Sequence, residues 1–168
     1  MAEAVSLQVV LKLLGSMTNA LDLSTPTDAL SVDYSKNYGN GTGANQANMW
    51  WHDQRTLGVS ATENLDFAGS LISAFGTTIT LTSLKGLVVY AATGNTNDVQ
   101  VTRPASNGIP WLMAAGDGIA LKPGAWVAWF DPSANGPTVT AGTGDLVTFT
   151  NSAGSTSVTY DVFALGEV

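Results

Sequence analysis

The chain has 168 residues, of which 45% are hydrophobic and 11% are charged, and its 13 acidic and 6 basic side chains give a net charge of −7. This length predicts one domain of ordinary size, and the negative charge disfavours binding to the phosphates of nucleic acids. The absence of cysteine excludes disulfides, thiolate nucleophiles and thiolate metal sites.

The N-terminal region predicts a strand followed by an irregular arm. Residues 5–14 alternate apolar and polar side chains as a strand does, although part of the segment also fits one helical face, and we favour a strand that stops at Gly15. A second apolar piece lies at 29–32, and Gly and Asn are so dense in 34–48 that a long loop or extended arm is expected there. The start Met-Ala-Glu-Ala has no basic segment, and no apolar run approaches the roughly 18 residues that cross a bilayer. We therefore expect no signal peptide and no membrane anchor.

The stretch MWWHDQRTL, Met49–Leu57, contains two tryptophans, the only histidine, a carboxylate and a guanidinium. In an extended segment successive side chains point to opposite faces, so His52 and Asp53 face apart and cannot form a catalytic dyad. Asp53 and Arg55 share a face and can pair. We interpret the stretch as structural, with one tryptophan turned into the core and the other toward an adjoining chain.

From residue 64 onward, short strands alternate with turns at the spacing of a sandwich or barrel. The predicted strands are residues 77–81, 86–92, 98–103, 125–130, 146–151 and 157–165, and a helical turn is the only helix expected, at 70–75. The Pro123-Gly124 pair predicts a type II turn. The last two strands flank Ala153-Gly154 and are expected to pair as a hairpin, with Val158, Tyr160, Val162 and Ala164 on one face.

These patterns predict an all-β chain, an antiparallel β-sandwich that is jelly-roll-like and carries an extended N-terminal segment. The N-terminal strand and arm occupy residues 1–60, and the sandwich occupies residues 61–168.

The sequence carries no recognisable catalytic constellation. A serine hydrolase would need His52 as its base and a serine in a G-x-S-x-G turn, and that pentapeptide does not occur. A glycosidase needs two carboxylates roughly 5 to 10 Å apart, which 13 acids can supply by chance. One histidine without cysteine cannot form a zinc site, and no calcium-binding loop is present. We expect no enzymatic activity, no catalytic residue, no cofactor and no metal.

Five tryptophans are many for a chain of this size. Subunit interfaces are enriched in Trp and Arg, and we weigh an interface against plain core packing and a carbohydrate-binding platform of exposed rings. Trp126 and Trp129 fall on opposite faces of one strand, so that one can face the core and the other a neighbour. The candidate interface residues are Trp50, Trp51, Arg55, Trp111 and Trp129.

Several motifs, taken in order, resemble small virion structural proteins of tailed bacteriophages. They are a Leu-Asp-(apolar)-Ala-Gly-(polar)-Leu element at 65–71, a Lys-x-Leu strand at 85–90, a Pro-Gly turn before an aromatic strand at 123–129, a Thr-x-Gly-Thr-x-Asp-Leu turn at 140–146 and a Tyr-Asp strand at 160–166. The N-terminal SLQVVLKLLGSMTNALDLSTP is similar as well. The likeness covers most of the chain, depends on turns that shape the fold and carries no catalytic motif.

The resemblance implies a decoration, or cement, protein that binds the assembled phage head in many copies, or else a tail component. The implied partners are the major capsid protein and further copies of the chain, with trimers favoured and residues 1–60 reaching along a neighbour. Such a protein would be made in the host cytoplasm and located on the capsid surface of the virion, with no nucleic-acid or membrane partner. The alternatives are a receptor- or carbohydrate-binding tail piece and a small glycosidase.

Overall fold

The computed structural model describes residues 4–111 and 113–168, and every regular element in this part of the chain is a β-strand, which confirms the all-β class. The strands are β1 (Leu7–Thr18), β2 (Thr27–Asn40), β3 (Gln46–Ala47), β4 (Met49–Leu57), β5 (Thr62–Asp66), β6 (Ala68–Ile72), β7 (Thr78–Thr80), β8 (Ser83–Ala91), β9 (Val99–Thr102), β10 (Asn107–Gly108), β11 (Gly118–Leu121), β12 (Trp126–Phe130), β13 (Gly144–Asn151) and β14 (Val158–Glu167).

Two sheets form a sandwich. The first has the order β12-β8-β14-β4 and is antiparallel throughout. The second has the order β10-β13-β9-β11, with β5 also paired to β13, and only its short β10–β13 pairing is parallel. Alternating apolar side chains of both sheets point inward and make one continuous core.

The strand β14 shows how the sequence pattern produces this packing. Its residues Val158, Tyr160, Val162 and Ala164 are all buried, as the alternation predicts, while Asp161 on the other face is exposed. The strand lies between β8 and β4, so its backbone is hydrogen-bonded on both sides. The type II turn before β12 is also supported, because Gly124 has a φ of 81° and the amide of Ala125 donates to the carbonyl of Lys122.

The predicted hairpin between the last two strands is wrong. The strands β13 and β14 belong to different sheets, and residues 152–157 cross from one sheet to the other. At the crossing, the buried side chain of Asn151 donates hydrogen bonds to the carbonyls of Gly58 (2.9 Å) and Thr156 (2.7 Å). A buried amide thus satisfies backbone carbonyls at the crossing, and the Ala153-Gly154 turn signal does not distinguish the two connections.

The N-terminal prediction is right for the first strand and wrong for part of the segment after it. Residues 7–14 of the predicted segment are in a strand, but β1 continues past Gly15 to Thr18, and residues 34–40 belong to β2. Only 41–45 are irregular before β3. Pairing with the apolar β1 outweighs the weak strand propensity of Gly and Asn. The strand β4 lies in the sandwich, so the projecting part of the chain is shorter than residues 1–60.

The expected helical turn at 70–75 is also wrong. Residues 68–72 form β6, which pairs with β7 through a tight turn. In that turn the hydroxyl of Ser73 accepts hydrogen bonds from the amides of Phe75 and Thr77, both at 3.2 Å. This Ser-centred turn replaces the helical turn that the short apolar run suggested.

A buried ion pair joins the ends of two central strands. Lys85 in β8 is fully buried, and its Nζ lies 3.0 Å from Oε1 of Glu167 in β14. The same ammonium group donates to the carbonyl of Ser133 in the loop after β12. Both charges therefore have a partner inside the protein, which is the condition for burying them.

Candidate functional site

The hairpin of β1 and β2, here called the arm, is the most unusual surface of the protein. Its two strands pair without interruption through 12 residues each, from Leu7 opposite Tyr38 to Thr18 opposite Thr27. At about 3.4 Å per residue, such a ribbon is roughly 40 Å long. An isolated two-stranded hairpin of this length is marginally stable in water, so it needs a surface to pack on.

One face of the arm is apolar. Directly opposed residues of an antiparallel pair share a face, and the register puts these residues on one side: Leu11, Leu13, Met17, Leu30, Val32 and Tyr34. The opposite side carries mainly polar residues, among them Lys12 opposite Asp33, although Val10 and Leu14 also lie there. Except for half-buried Val32, the residues of the apolar side are between 41% and 72% exposed.

The base of the arm is seated on the sandwich. Tyr38 is 1% exposed and its ring lies 6.2 Å from that of Phe130. Leu7 and Val9, on the same side as Tyr38, pack into a second apolar cluster with Leu165 of β14. This cluster covers one part of the outer face of the β12-β8-β14-β4 sheet, and the distal arm continues beyond it.

The rest of that outer face has an apolar patch. Val88, Tyr90 and Phe163 are half-buried there, Ala128 is exposed, and Trp126 is 58% exposed. Cross-strand pairing places these side chains side by side, since Val88 lies opposite both Phe163 and Ala128, and Tyr90 lies opposite Trp126. We call this set the outer patch.

The two tryptophans of β4 point in opposite directions. Trp51 is buried in the core, where its Nε1 donates to the carbonyl of Ile72 (3.1 Å) and its ring meets Phe67 edge-on at 6.2 Å. Trp50 is half-buried on the outer face, 6.4 Å from the ring of Phe163 and beside the base of the arm. The inward turn of one tryptophan is confirmed, and contact of Trp50 with an adjoining chain stays a prediction.

The polar residues of β4 form a fixed ion-pair network. Arg55 lies 3.1 Å from Asp53, as the alternation predicts, and also 2.5 Å from Glu63, while the hydroxyl of Tyr160 donates to Glu63 at 2.8 Å. The hydrogen bond to Glu63 is the main cause that raises the pKa of Arg55, and burial, followed by the hydrogen bond to Glu63, raises the pKa of Tyr160. Sequence reasoning missed Glu63 and Tyr160, because these contacts come from three different strands.

His52 does not join that network. It is exposed on the outer face, opposite Phe163 on β14, whereas the carboxylate of Asp53 is engaged by Arg55. The two side chains therefore do not form the dyad that hydrolytic chemistry would require.

The other two candidate interface tryptophans lie toward the core. Trp111 and Trp129 meet edge-on with ring centroids 5.8 Å apart, and both are half-buried against the main cluster. On β12 it is Trp126, and not the candidate Trp129, that is exposed, because Trp129 lies opposite the core residue Leu87. Alternation along the strand predicted that one of the two tryptophans would be exposed. Which of them it is depends on how β12 pairs with β8.

Concave sites are small or shallow. A pocket of about 140 Å³ between β4 and the β6–β7 turn is lined by Val5, Trp50, His52 and Phe75 among others, and this volume is below the roughly 300 to 1,000 Å³ of typical small-molecule sites. Larger hollows of about 310 Å³ on the outer face and about 550 and 680 Å³ along the arm are open to solvent. Within residues 4–111 and 113–168, no group of three or more acidic or histidine side chains is placed to hold a metal ion. The same residues contain no helix that could span a membrane.

The arm and the outer patch are thus the surfaces with the clearest capacity for recognition, and both are suited to binding a protein. Comparisons with known proteins add no relative: no protein-family model matches the chain, and no curated protein matches it significantly.

Proposed function

We propose that this chain is a non-enzymatic structural protein of a bacteriophage virion, which binds the assembled head as a decoration protein and stabilises it. The proposal starts from the resemblance of the ordered turn and strand motifs to small phage virion proteins. The observation that carries it is the arm, a roughly 40 Å ribbon whose apolar side is exposed beyond its base. Apolar surface held in this way is typical of a subunit that is completed by its neighbours.

The chemistry of the rest of the surface agrees with a binding role. Arg55, Asp53 and Glu63 are held in one ion-pair network, so these groups are not free to act as acid and base. The buried interior contains many apolar side chains from both sheets, which makes the sandwich a stable platform for the arm.

The proposed mechanism is thermodynamic linkage. A protein that binds the assembled shell, and not its free subunits, lowers the free energy of the assembled state by an amount that grows with concentration and affinity. Repetition over many equivalent sites multiplies this effect. The exposed apolar residues of the arm supply buried area for contacts with neighbouring subunits in the assembled state, and the low charged fraction limits the desolvation cost.

The test is binding of the purified chain to empty expanded capsids of the phage that encodes it. We expect saturation at a stoichiometry set by the shell symmetry, together with a higher temperature of capsid disruption. The test variant is Leu13→Asp, which adds a charge to the apolar side of the arm and should weaken binding. Failure of the wild-type chain to bind capsids would refute the decoration role. The remaining location would then be the phage tail, and immunogold labelling of virions would detect the chain there.

A receptor- or carbohydrate-binding tail component is the alternative within the same class. Such a site would need coplanar exposed aromatic rings, and Trp126 is the only one of the five tryptophans that is more than half exposed. A glycan array with wild type and Trp126→Ala tests this alternative directly, because specific binding lost in the variant would support it.

A further inference from the structure

We propose that the arm of one copy seats its distal apolar side on the outer patch of a second copy. This deepens the proposed structural role, and it rests on that role in treating the chain as a subunit that associates with itself. The interface would join residues 10–34 of one chain to the outer face of the β12-β8-β14-β4 sheet of its neighbour.

The first argument is the continuity of the arm surface. The side of the arm that carries Leu11 and Tyr34 is the side that carries Leu7 and Tyr38 at the base. At the base this surface already packs on the outer face of the β12-β8-β14-β4 sheet, through Leu165 and Phe130. The distal side is therefore an extension of an established intramolecular contact, and the outer patch is the uncovered remainder of the face that this contact uses.

The second argument is area. The exposed residues of the distal side are Leu11, Leu13, Met17, Leu30 and Tyr34, and Leu21 and Leu23 at the tip are 54% and 99% exposed. A large apolar residue offers on the order of 200 Å² when fully exposed, so the five present roughly 500 Å² and the two tip leucines about 300 Å² more. The total is close to the roughly 800 Å² that one partner contributes to a specific interface. An isolated subunit gains nothing from exposing this much apolar surface.

The third argument is the match of size and charge. The distal arm extends about 30 Å, whereas four strands about 4.8 Å apart make a sheet roughly 15 Å wide, so the arm is long enough to span the uncovered outer patch. Lys36, opposite Val9, and Asp28, opposite Met17, lie toward the two ends of the apolar side, and the pairs between them carry no charged residue. In the outer patch Val88, Trp126 and Phe163 are uncharged, and the charged Asp161 lies beside them, opposite Tyr90. Interfaces are depleted of charge at their centre, which lets two chains of net charge −7 meet here.

The first experiment measures the oligomeric state of the full chain by sedimentation equilibrium, in the absence of capsids. We expect reversible self-association of the wild type, and a dissociation constant at least about tenfold higher for Leu13→Asp. The control is Ser16→Asp, which adds the same charge to the same strand on the opposite side of the arm and should change the constant less than about threefold. Circular dichroism confirms that both variants are folded.

The second experiment locates the contact by disulfide trapping, which is unambiguous because the chain has no cysteine of its own. A tagged Leu13→Cys chain is mixed with an untagged Ala128→Cys chain and oxidised mildly. We expect the mixed disulfide in at least about fivefold excess over the pairing of Ser16→Cys with Ala128→Cys, since a disulfide requires Cα atoms within about 7 Å.

The outcomes separate this inference from the proposed function. A wild type that stays monomeric at high concentration, or equal yields of the two mixed disulfides, would overturn the inference. If such a monomer still saturates capsids, the decoration role stands and the arm binds the capsid protein instead. If self-association and selective trapping occur but capsids are not bound, the inference stands and the decoration role fails.

Discussion

Phe149 and Tyr160 stack face to face across the sandwich, with ring centroids 4.5 Å apart and an interplanar angle of 7°. Phe149 belongs to β13 of one sheet and Tyr160 to β14 of the other, and both are fully buried. The stack therefore packs together two consecutive strands that share no backbone pairing with each other. At its outer end, the hydroxyl of Tyr160 reaches Glu63 and through it Arg55, so the core and the ion-pair network are physically connected.

We expect Phe149→Ala to lower the free energy of unfolding by about 3 to 5 kcal/mol, because it removes a buried ring and leaves a cavity against Tyr160. Urea denaturation followed by tryptophan fluorescence measures the change. Phe163→Ala, at a half-buried position on the outer face, should cost clearly less. Similar losses for the two variants would contradict the central role of the stack.

The raised pKa of Tyr160 predicts a loss of stability at high pH. Burial is the main cause of the shift and the hydrogen bond to Glu63 adds to it. Above about pH 10 the tyrosine of the unfolded chain loses its proton while the folded one keeps it, so the free energy of unfolding falls as the pH rises, by up to about 1.4 kcal/mol per pH unit. The stability is fully present below that pH.

Tyr160→Phe should make this alkaline decline shallower without abolishing it, because burial also raises the pKa of Tyr38. Urea titrations at several pH values between about 8 and 11 give the slope. Tyr34→Phe, at an exposed position on the arm, is the control and should keep the wild-type slope. An unchanged slope in Tyr160→Phe would refute the assignment of the alkaline loss of stability to Tyr160.

The buried ion pair of Lys85 and Glu167 predicts that substitutions at these two positions have strongly coupled effects on stability. Lys85→Met leaves the carboxylate of Glu167 buried without its partner, which should cost about 3 to 5 kcal/mol of unfolding free energy. Lys85→Met combined with Glu167→Gln should be less damaging than the sum of the two single variants, because the uncompensated charge is gone. Additive losses in this double-mutant cycle would show that the pair does not interact.

The two tryptophans of β4 should respond differently to truncation. Trp51→Ala removes a core ring and should lower the free energy of unfolding by about 3 to 5 kcal/mol. Trp50→Ala loosens the cluster at the base of the arm, so its main effect should be faster tryptic cleavage at Lys36, with a smaller loss of global stability. Trp126→Ala, at an exposed position away from the base of the arm, should change neither measurement at concentrations at which the chain is monomeric. Equal cleavage rates in Trp50→Ala and wild type would contradict this division.

Local patterns in the sequence predict much of this fold. Period-two alternation is a property of each strand alone, so it identified β4 and β14, assigned the inward face of β14, separated His52 from Asp53 and paired Asp53 with Arg55. The same property predicted that Trp126 and Trp129 would point apart. These results needed no knowledge of which strand lies beside which.

The features that the sequence could not predict depend on which strands lie side by side in the sheets. The pairing of β14 with β4 and β8 instead of β13 results from long-range packing, and Ala153-Gly154 is compatible with either connection. Residues 34–40 look irregular alone and become a strand only because β1 offers a partner. The network of Glu63, Arg55 and Tyr160 joins two consecutive strands to β14, about one hundred residues later, so no local motif indicates it.

The position of β14 between β8 and β4 also bears on how the chain folds. The strand β4, which contains Trp50 and Trp51, is hydrogen-bonded to β14, about one hundred residues later in the chain. In this pairing Leu57 lies opposite Val158 and Met49 lies opposite Gly166. The arm, by contrast, closes through the short segment between β1 and β2, and such hairpins form within microseconds. Contacts between distant segments form slowly, because the loop entropy is lost before the pairing compensates for it. During synthesis the two strands of the arm can therefore pair early, whereas β4 has no partner in its sheet until the last strand arrives and inserts between β4 and β8.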